Sequence, residues 1–204
     1  MLLYQFRMGT NPRRVIIYMA EKGIDVPRYE LDYHGGEHRS PEYLRINPAG
    51  RAPALVTDGG VAITESGAIV EYLEELHPHH SMIGTDPLSR AKVRALERVG
   101  NDLCVRCQAW LWNLTDAFAA KEPDPSRPLA DKVYRYVEEL LDILEASIGE
   151  ARFLAGGYEP TIADCTTFAI FQTARERFDQ PLGKTHHKLD RWYRDFRRRP
   201  SADY

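Results

Sequence analysis

The apolar and polar positions change their period along the chain, from short strand-like runs near the start to long helical spacings in the second half. Residues 54–57 and 61–64 are strand-forming runs on either side of an Asp-Gly-Gly segment. An Asp-Gly pair is a strong hairpin signal because the turn needs positive φ angles. After the hairpin the apolar residues fall on one helical stripe: Ile69, Tyr72, Leu73 and Leu76. The pattern therefore predicts two antiparallel strands followed by an amphipathic helix.

The joint between the second strand and this helix carries two polar residues, Glu65 and Ser66. Ser66 directly precedes the stripe and is the expected N-cap. A helix N-terminus presents unpaired N–H groups and about half a positive charge, which suits a carboxylate, whereas the Glu65 carboxylate suits an ammonium. Together the two residues are predicted to hold a zwitterionic amino-acid group.

The remaining elements of the first third follow the same rules. Residues 2–5 read as a strand, and a helix follows in which Asn11 is the expected N-cap and Pro12 the first helical residue. A second strand is predicted at 28–32, and Ser40 begins a short helix. The order of strands and helices predicts a mixed sheet with helices on its faces, which is typical of a thioredoxin-like α/β domain.

Beyond a segment rich in Pro and Gly at 78–87, every pattern is helical. Helices are predicted at 88–120, 129–148, 161–178 and 189–199. Thr161, with Asp164 three residues later, fits the acidic form of a capping box at the start of the third of them. The predicted organisation is an α/β domain at 1–77, a linker at 78–87 and an all-helical domain at 88–204.

Composition narrows the possible partners. The 204 residues are 43% hydrophobic, enough for a buried core, and the net charge is only -3. The first 77 residues carry eight basic and eleven acidic residues and the remainder carries nineteen of each, which argues against nucleic acid or an anionic membrane as partner. There is no long apolar run and no signal-like start, and the three cysteines suit a reducing compartment. We expect a cytoplasmic protein.

Pro53 opens the first hairpin strand, where a proline costs a ladder hydrogen bond and so needs a positional reason. A cis bond after Ala52 would leave the Ala52 backbone available to pair with a peptide ligand. The alternative is a trans proline at the start of an edge strand, and only about one X-Pro bond in twenty is cis.

These segments together resemble the cytosolic glutathione transferase superfamily, most closely the fungal and bacterial Gtt2-like group and next the nu-class enzymes. The resemblance covers nearly the whole chain. It is carried by residues 47–55, Asp58, Glu65-Ser66, Ala68-Ile69, Tyr72-Leu73, Leu3-Tyr4, 11–15, 20–24 and the Thr161–Asp164 segment.

The resemblance implies glutathione as co-substrate, no metal, and a homodimer. It implies that Glu65 and Ser66 hold the γ-glutamyl end and that Pro53 is cis. It also implies that the Ala52 backbone pairs with the cysteinyl unit and that Arg51 reaches the glycyl carboxylate, which suits a guanidinium with two charge-assisted hydrogen bonds. His38, in a nearby loop, is a further candidate for the glycyl end, and an exposed loop histidine is the alternative.

The turn before the first helix departs from the usual family pattern. Relatives place Tyr, Ser or Cys there to stabilise the glutathione thiolate, whereas this chain has Gly9, Thr10, Asn11 and Pro12. The donor is predicted to be the Thr10 hydroxyl or the Asn11 amide, with a bound water and simple helix capping by Asn11 as the alternatives. Arg13 and Arg14 follow in the first helical turn, where they either support the ligand electrostatically or are solvated.

In the second half, Trp110 and Asn113 are the predicted lining of a second-substrate pocket, with Trp112 and Phe118 on the same stretch. Cys104 and Cys107 have redox-motif spacing but fall inside a predicted helix, where we interpret them as packing residues. The histidines at 77–80 lie in the linker without a cysteine or carboxylate at ligand spacing, so no metal site is expected.

The leading hypothesis is a glutathione S-transferase that conjugates the glutathione thiolate to a hydrophobic electrophile. One alternative is a glutathione-dependent disulfide or peroxide reductase. The other is a regulatory or carrier protein that binds glutathione without catalysis.

Overall fold

A computed structural model describes residues 1–115 and 124–203. The chain divides into two compact units. The first contains Met1–Met82 together with the described residues from Arg199 onward, and the second is Ile83–Arg198.

The first unit is built on a four-stranded mixed sheet. Its elements are β1 (Leu2–Gln5), α1 (Thr10–Lys22), β2 (Arg28–Glu30), α2 (Pro41–Ile46), β3 (Ala54–Val56), β4 (Ala62–Thr64) and α3 (Ser66–Leu76). The strand order is β2-β1-β3-β4, with β1 parallel to β2 and both other pairs antiparallel. The predicted hairpin and mixed sheet are thus confirmed, and Gly60 supplies the positive φ of the turn at 78°.

The start of the first helix differs from the prediction. α1 begins at Thr10 with Gly9 as its N-cap, so Asn11 is inside the helix and the prediction that it is the N-cap is wrong. Gly9 is required because a Cβ there would lie 2.9 Å from Cδ of Pro12. Pro12 is the third helical residue rather than the first, a place it tolerates because the first four N–H groups of a helix have no intrahelical acceptor.

A buried charged network joins α1 to α3. The Glu74 carboxylate, 3% exposed, accepts hydrogen bonds from the Tyr18 hydroxyl at 2.7 Å and the Met82 N–H at 2.8 Å. The Lys22 ammonium lies 2.8 Å from the same carboxylate and donates to the His80 carbonyl at 2.9 Å. This network therefore fixes residues 80–82 against the two helices.

The described residues from Arg199 onward also pack on α1. Arg199 donates to both carboxylate oxygens of Glu21 at 2.7 Å, and the Ser201 hydroxyl contacts the same carboxylate. Arg13 donates to the Ala202 carbonyl at 2.8 Å. The sequence places these residues in the helical domain, whereas their contacts group them with the first unit.

The described part of the second unit is helical, as predicted. Its helices are α4 (Pro87–Leu114), α5 (Arg127–Ile148), α6 (Ile162–Gln172) and α7 (His187–Arg197), and a π-helical turn, Thr173–Arg177, extends α6. At the start of α4, Asp86 accepts from the N–H groups of Leu88 at 2.9 Å and Ser89 at 3.1 Å.

The predicted capping box of α6 is present and has a wider role. The Asp164 carboxylate accepts from the Thr161 N–H at 2.8 Å and the Thr161 hydroxyl at 2.9 Å. It also accepts from the Leu154 N–H and the Trp192 Nε1–H, both at 2.9 Å. Burial raises the pKa of the Asp164 carboxyl, and the four donors oppose that rise. One carboxylate thus joins the start of α6 to the preceding loop and to α7.

Gly100 lets α4 approach α6 closely. A Cβ at this position would lie 2.4 Å from Oγ1 of Thr167, a buried hydroxyl with no hydrogen-bond partner among the described residues. Glu97, one turn earlier on α4, accepts from the Thr166 hydroxyl at 3.3 Å. The absence of a side chain at Gly100 is therefore a packing requirement.

Gly100→Ala is expected to lower the free energy of unfolding by about 1–3 kcal/mol, because overpacking outweighs the helix propensity that alanine gains. The measurement is the urea midpoint. A second change, Thr167→Ala, removes the obstructing hydroxyl, so Gly100→Ala/Thr167→Ala should recover part of the loss. A single variant more stable than the parent would show that helix propensity dominates.

Candidate functional site

The register of the sheet brings the three segments that contain predicted site residues to the same end of the sheet. Tyr4 pairs with Ala54, and Ala54 pairs with Thr64. The turn that leads from β1 to α1, the residues just before β3 and the residues just after β4 therefore meet at the same end of the sheet. These are the segments that contain Thr10 and Asn11, Ala52 and Pro53, and Glu65 and Ser66.

Pro53 lies directly before β3 and is buried. The Ala52–Pro53 peptide bond is cis, as the family resemblance implies. Ala52 is partly buried and packs against the core cluster of Leu31, Tyr43 and Ala54.

The start of α3 differs from the prediction by one residue. The helix begins at Ser66, and Glu65 rather than Ser66 is the N-cap residue, with a left-handed φ of 68°. The Glu65 side chain makes no capping hydrogen bond and is exposed, whereas Ser66 is buried at 5% exposure. The Glu65 side chain and the N–H groups of the first turn of α3 thus lie next to each other at this end of the sheet.

The start of α1 carries the two predicted thiolate donors. Thr10 is buried and Asn11 is partly buried. Oδ1 of Asn11 accepts a hydrogen bond from Nη2 of Arg14 at 2.6 Å. Arg13 and Arg14 are themselves buried, so the interpretation of both as solvated side chains is wrong.

Arg51 has an exposed side chain on a backbone that two other residues hold. Its carbonyl accepts from the Tyr43 hydroxyl and from Nδ2 of Asn47, both at 2.7 Å. Burial raises the pKa of Tyr43 to about 12, so the phenol stays protonated and acts as a donor. The sequence analysis predicts no such role for Tyr43 or Asn47, because both contacts form only when α2 and the loop after it are folded.

His38 is buried rather than exposed in its loop. Its ring stacks on Tyr33 with centroids 3.7 Å apart and planes 6° apart, and Tyr33 stacks on Phe6 at 4.6 Å. The His38 carbonyl would be 2.9 Å from a Cβ at Gly50, so this loop packs against the segment that leads to Arg51. A role for His38 at the glycyl end stays a prediction.

The two predicted pocket residues of the second unit are both buried. Trp110 packs on Tyr134 with ring centroids 4.8 Å apart. Nδ2 of Asn113 donates to the Ala109 carbonyl at 2.9 Å, and its Oδ1 accepts from the Ser126 N–H at 3.0 Å. These contacts give Asn113 a structural role, and its place in a substrate pocket stays a prediction. Phe118 lies outside the described residues.

Cys104 and Cys107 are buried free thiols in α4. Burial raises the pKa of the Cys107 thiol, and the neighbouring Cys104 adds to the rise. A protonated, buried thiol suits packing rather than redox chemistry. Within residues 1–115 and 124–203, no group of three or more His, Cys, Asp or Glu residues could hold a metal ion. None of the helices described in these ranges is long and apolar enough to cross a membrane.

The mixed sheet with a cis-proline before its third strand, followed by a unit whose described part is helical, matches the fold of the glutathione transferases. Residues 1–75 match the family described as glutathione S-transferase, N-terminal domain, and residues 105–200 match glutathione S-transferase, C-terminal domain. The chain belongs to the glutathione S-transferase family.

Individual relatives agree with this assignment. The chain is 35% identical over 186 residues to the maleylacetoacetate isomerase of Pseudomonas aeruginosa, covering 89% of this chain and 84% of that protein. It is 30% identical over 205 residues to glutathione S-transferase F9 of Arabidopsis thaliana, covering 94% and 89%. The crystal structure of Gtt2 from Saccharomyces cerevisiae is similar with a TM-score of 0.87 at 25% identity, covering 100% of this chain and 99% of that one. This likeness confirms the predicted relationship to the Gtt2-like group.

Proposed function

We propose that the protein is a glutathione S-transferase that binds glutathione at the end of the sheet where α1, β3 and α3 begin. The convergence of these three starts, set by the strand register, is the observation that carries the proposal. Glu65 would bind the γ-glutamyl ammonium, and Ser66 with the N–H groups of α3 would bind its carboxylate. The Ala52 backbone before Pro53 would pair with the cysteinyl unit.

The glycyl end is assigned to two further residues. The exposed Arg51 side chain starts from a backbone that Tyr43 and Asn47 fix, so its guanidinium is presented from a rigid point. An arginine can grip a carboxylate through two parallel hydrogen bonds. His38 packs beside the same segment and is the second candidate for this end of the peptide.

The chemistry requires ionisation of the glutathione thiol. A free thiol has a pKa of about 8.5, and lowering it by about two units takes about 2.7 kcal/mol of differential stabilisation of the thiolate. The N-terminus of α1, with Thr10 and Asn11 in its first turn, is the proposed source. The thiol proton passes to water, the thiolate forms a C–S bond with the electrophile, and the leaving group departs with its bonding pair.

The relative named maleylacetoacetate isomerase supports a second candidate, glutathione-dependent isomerisation. In this reaction the thiolate adds to one carbon of an activated cis alkene, the resulting single bond rotates, and elimination restores both the double bond and free thiolate. The binding site and the thiolate are shared with the transferase, but glutathione is unchanged at the end. Mass spectrometry of the products distinguishes the two, because only conjugation leaves glutathione on the substrate.

Ser66→Ala and Glu65→Gln are each expected to weaken glutathione binding about tenfold, because each removes one partner of the γ-glutamyl group. Calorimetry measures the affinity for glutathione, and the pH dependence of conjugation to an aromatic halide measures the pKa of the bound thiol. Ser147→Ala, at an exposed serine of α5, is the control and should bind as the parent does.

Other outcomes redirect the assignment. Binding without conjugation or isomerisation would favour a glutathione-dependent reductase or a non-catalytic carrier. No binding by the parent protein would remove the glutathione proposal.

We also propose that the protein is a cytoplasmic homodimer whose helical unit binds the electrophile through Trp110 and Asn113.

A further inference from the structure

The start of α1 has a charge pattern that opposes its own helix dipole. Arg13, at the end of the first turn, and Arg14, directly after it, are 6% and 4% exposed, and the first turn contains no acidic residue. Cations are unfavourable at a helix N-terminus, and buried charges need specific partners. Departures of this kind from local rules concentrate at functional sites.

The two arginines have different partners. Nη2 of Arg13 donates to the Ala202 carbonyl at 2.8 Å, which gives this residue a structural function in holding the returning segment. Nη2 of Arg14 donates to Oδ1 of Asn11 at 2.6 Å, within the turn that carries the proposed thiolate donors. The second contact therefore acts on the site itself.

The Arg14 contact decides how the Asn11 amide is oriented. A guanidinium has only donors, so the amide atom that faces it must be the oxygen. The Nδ2 group is the other arm of the planar amide, and its N–H bonds are turned away from Arg14. A charge-assisted hydrogen bond to Oδ1 also polarises the amide, which makes its N–H groups stronger donors.

We propose that Arg14 is a positioning residue that sets the Asn11 amide as the N–H donor to the sulfur of bound glutathione. This inference rests on the proposed function and selects Asn11 over Thr10 as the donor. Arg14 acts through Asn11, while Asn11 contacts the sulfur.

The test is a titration of glutathione bound to each variant, followed by the ultraviolet absorbance of the thiolate. Asn11→Ala should raise the apparent pKa of the bound thiol by about one unit, the value of one good hydrogen bond to a charged group. Arg14→Met should raise it by a similar amount, and Asn11→Ala/Arg14→Met should raise it no further than Asn11→Ala alone. Arg14→Lys, which keeps a donor and the charge, should restore part of the effect.

Two variants separate positioning from charge and from folding. Arg13→Met removes an equally buried positive charge from the adjacent residue and leaves the Arg14 contact to Asn11 in place, so the thiol should titrate nearly as in the parent. Asn11→Asp keeps an oxygen for Arg14 but has no N–H donor, so the fold should be retained while the apparent pKa of the thiol rises. Asn11→Asp therefore tests the Asn11 donor without altering Arg14, and Arg14→Lys carries the test of positioning if Arg14→Met does not fold.

The inference is overturned if Arg14→Met raises the thiol pKa equally in the Asn11→Ala background, since Arg14 would then act by charge alone. It is also overturned if Asn11→Ala and Asn11→Asp leave the titration unchanged, in which case the proposed function stands and the donor lies elsewhere. If the parent protein binds no glutathione, both proposals fail.

Discussion

Asp164→Ala is expected to lower the free energy of unfolding by about 3–5 kcal/mol, the range seen when a buried hydrogen-bond network is broken. The carboxylate has no exposed surface and accepts four hydrogen bonds. Alanine would leave the N–H groups of Leu154, Thr161 and Trp192 without an acceptor in the interior. The Thr161 hydroxyl can rotate toward another acceptor, but the three N–H groups cannot. Chemical denaturation followed by tryptophan fluorescence measures the loss.

Two comparisons test the reason for the loss. Asp164→Asn keeps the volume but turns one acceptor oxygen into an NH₂ group that faces donors, so it should lie between the parent and alanine. Asp86→Ala removes the cap of α4, which is exposed and holds only local N–H groups, and should cost clearly less. If the Asp86 and Asp164 variants were equally stable, the network would contribute nothing beyond capping.

Glu74→Ala is expected to have an effect of similar size, about 3–5 kcal/mol, because removal of one partner of a buried ion pair leaves the other charge uncompensated. The Lys22 side chain is only 1% exposed, and the Tyr18 hydroxyl and the Met82 N–H would lose their acceptor as well. The unfolding midpoint in urea measures the change. Glu75→Ala, at the next residue on the exposed side of α3, is the matched control and should leave the midpoint unchanged.

A double change separates the charge effect from the packing effect. Lys22→Met/Glu74→Met removes both charges and fills the space with apolar side chains, which is often neutral for a buried pair. We therefore expect the double variant to be more stable than Glu74→Ala. A double variant as unstable as the single one would assign the loss to the Tyr18 and Met82 contacts instead.

Patterns that act over a few residues were predictable from the sequence. The hairpin follows from an Asp-Gly turn between strand-forming runs, and the capping box of α6 from Thr161 and Asp164 three residues apart. The α/β and all-helical succession likewise follows from the change of hydrophobic period. In each case the determining contacts lie within one turn or one strand pair.

Contacts that depend on the folded path of a turn or loop were not predictable, even between residues close in sequence. The start of α1 depends on how the Pro12 ring packs on Gly9, and the fixed backbone of Arg51 depends on Tyr43. The burial of His38 depends on a ring stack with Tyr33 in the folded loop. The period of hydrophobic residues does not report such contacts. Candidate ligand-binding residues could therefore be predicted from the sequence, but the residues that hold them in place could not.

Because residues 199–203 pack on α1, the order in which the chain is synthesised determines when these contacts can form. Arg199, Ser201 and Ala202 are synthesised only after all of α4 to α7. Domains generally fold from the N-terminus as they emerge, so the sheet can form early. Glu21 and Arg13, however, lie on the helix that begins the proposed thiol site, and they receive these partners only when translation has passed the helical unit. A part of the site that is made before the helical unit is thus completed by residues that are made after it.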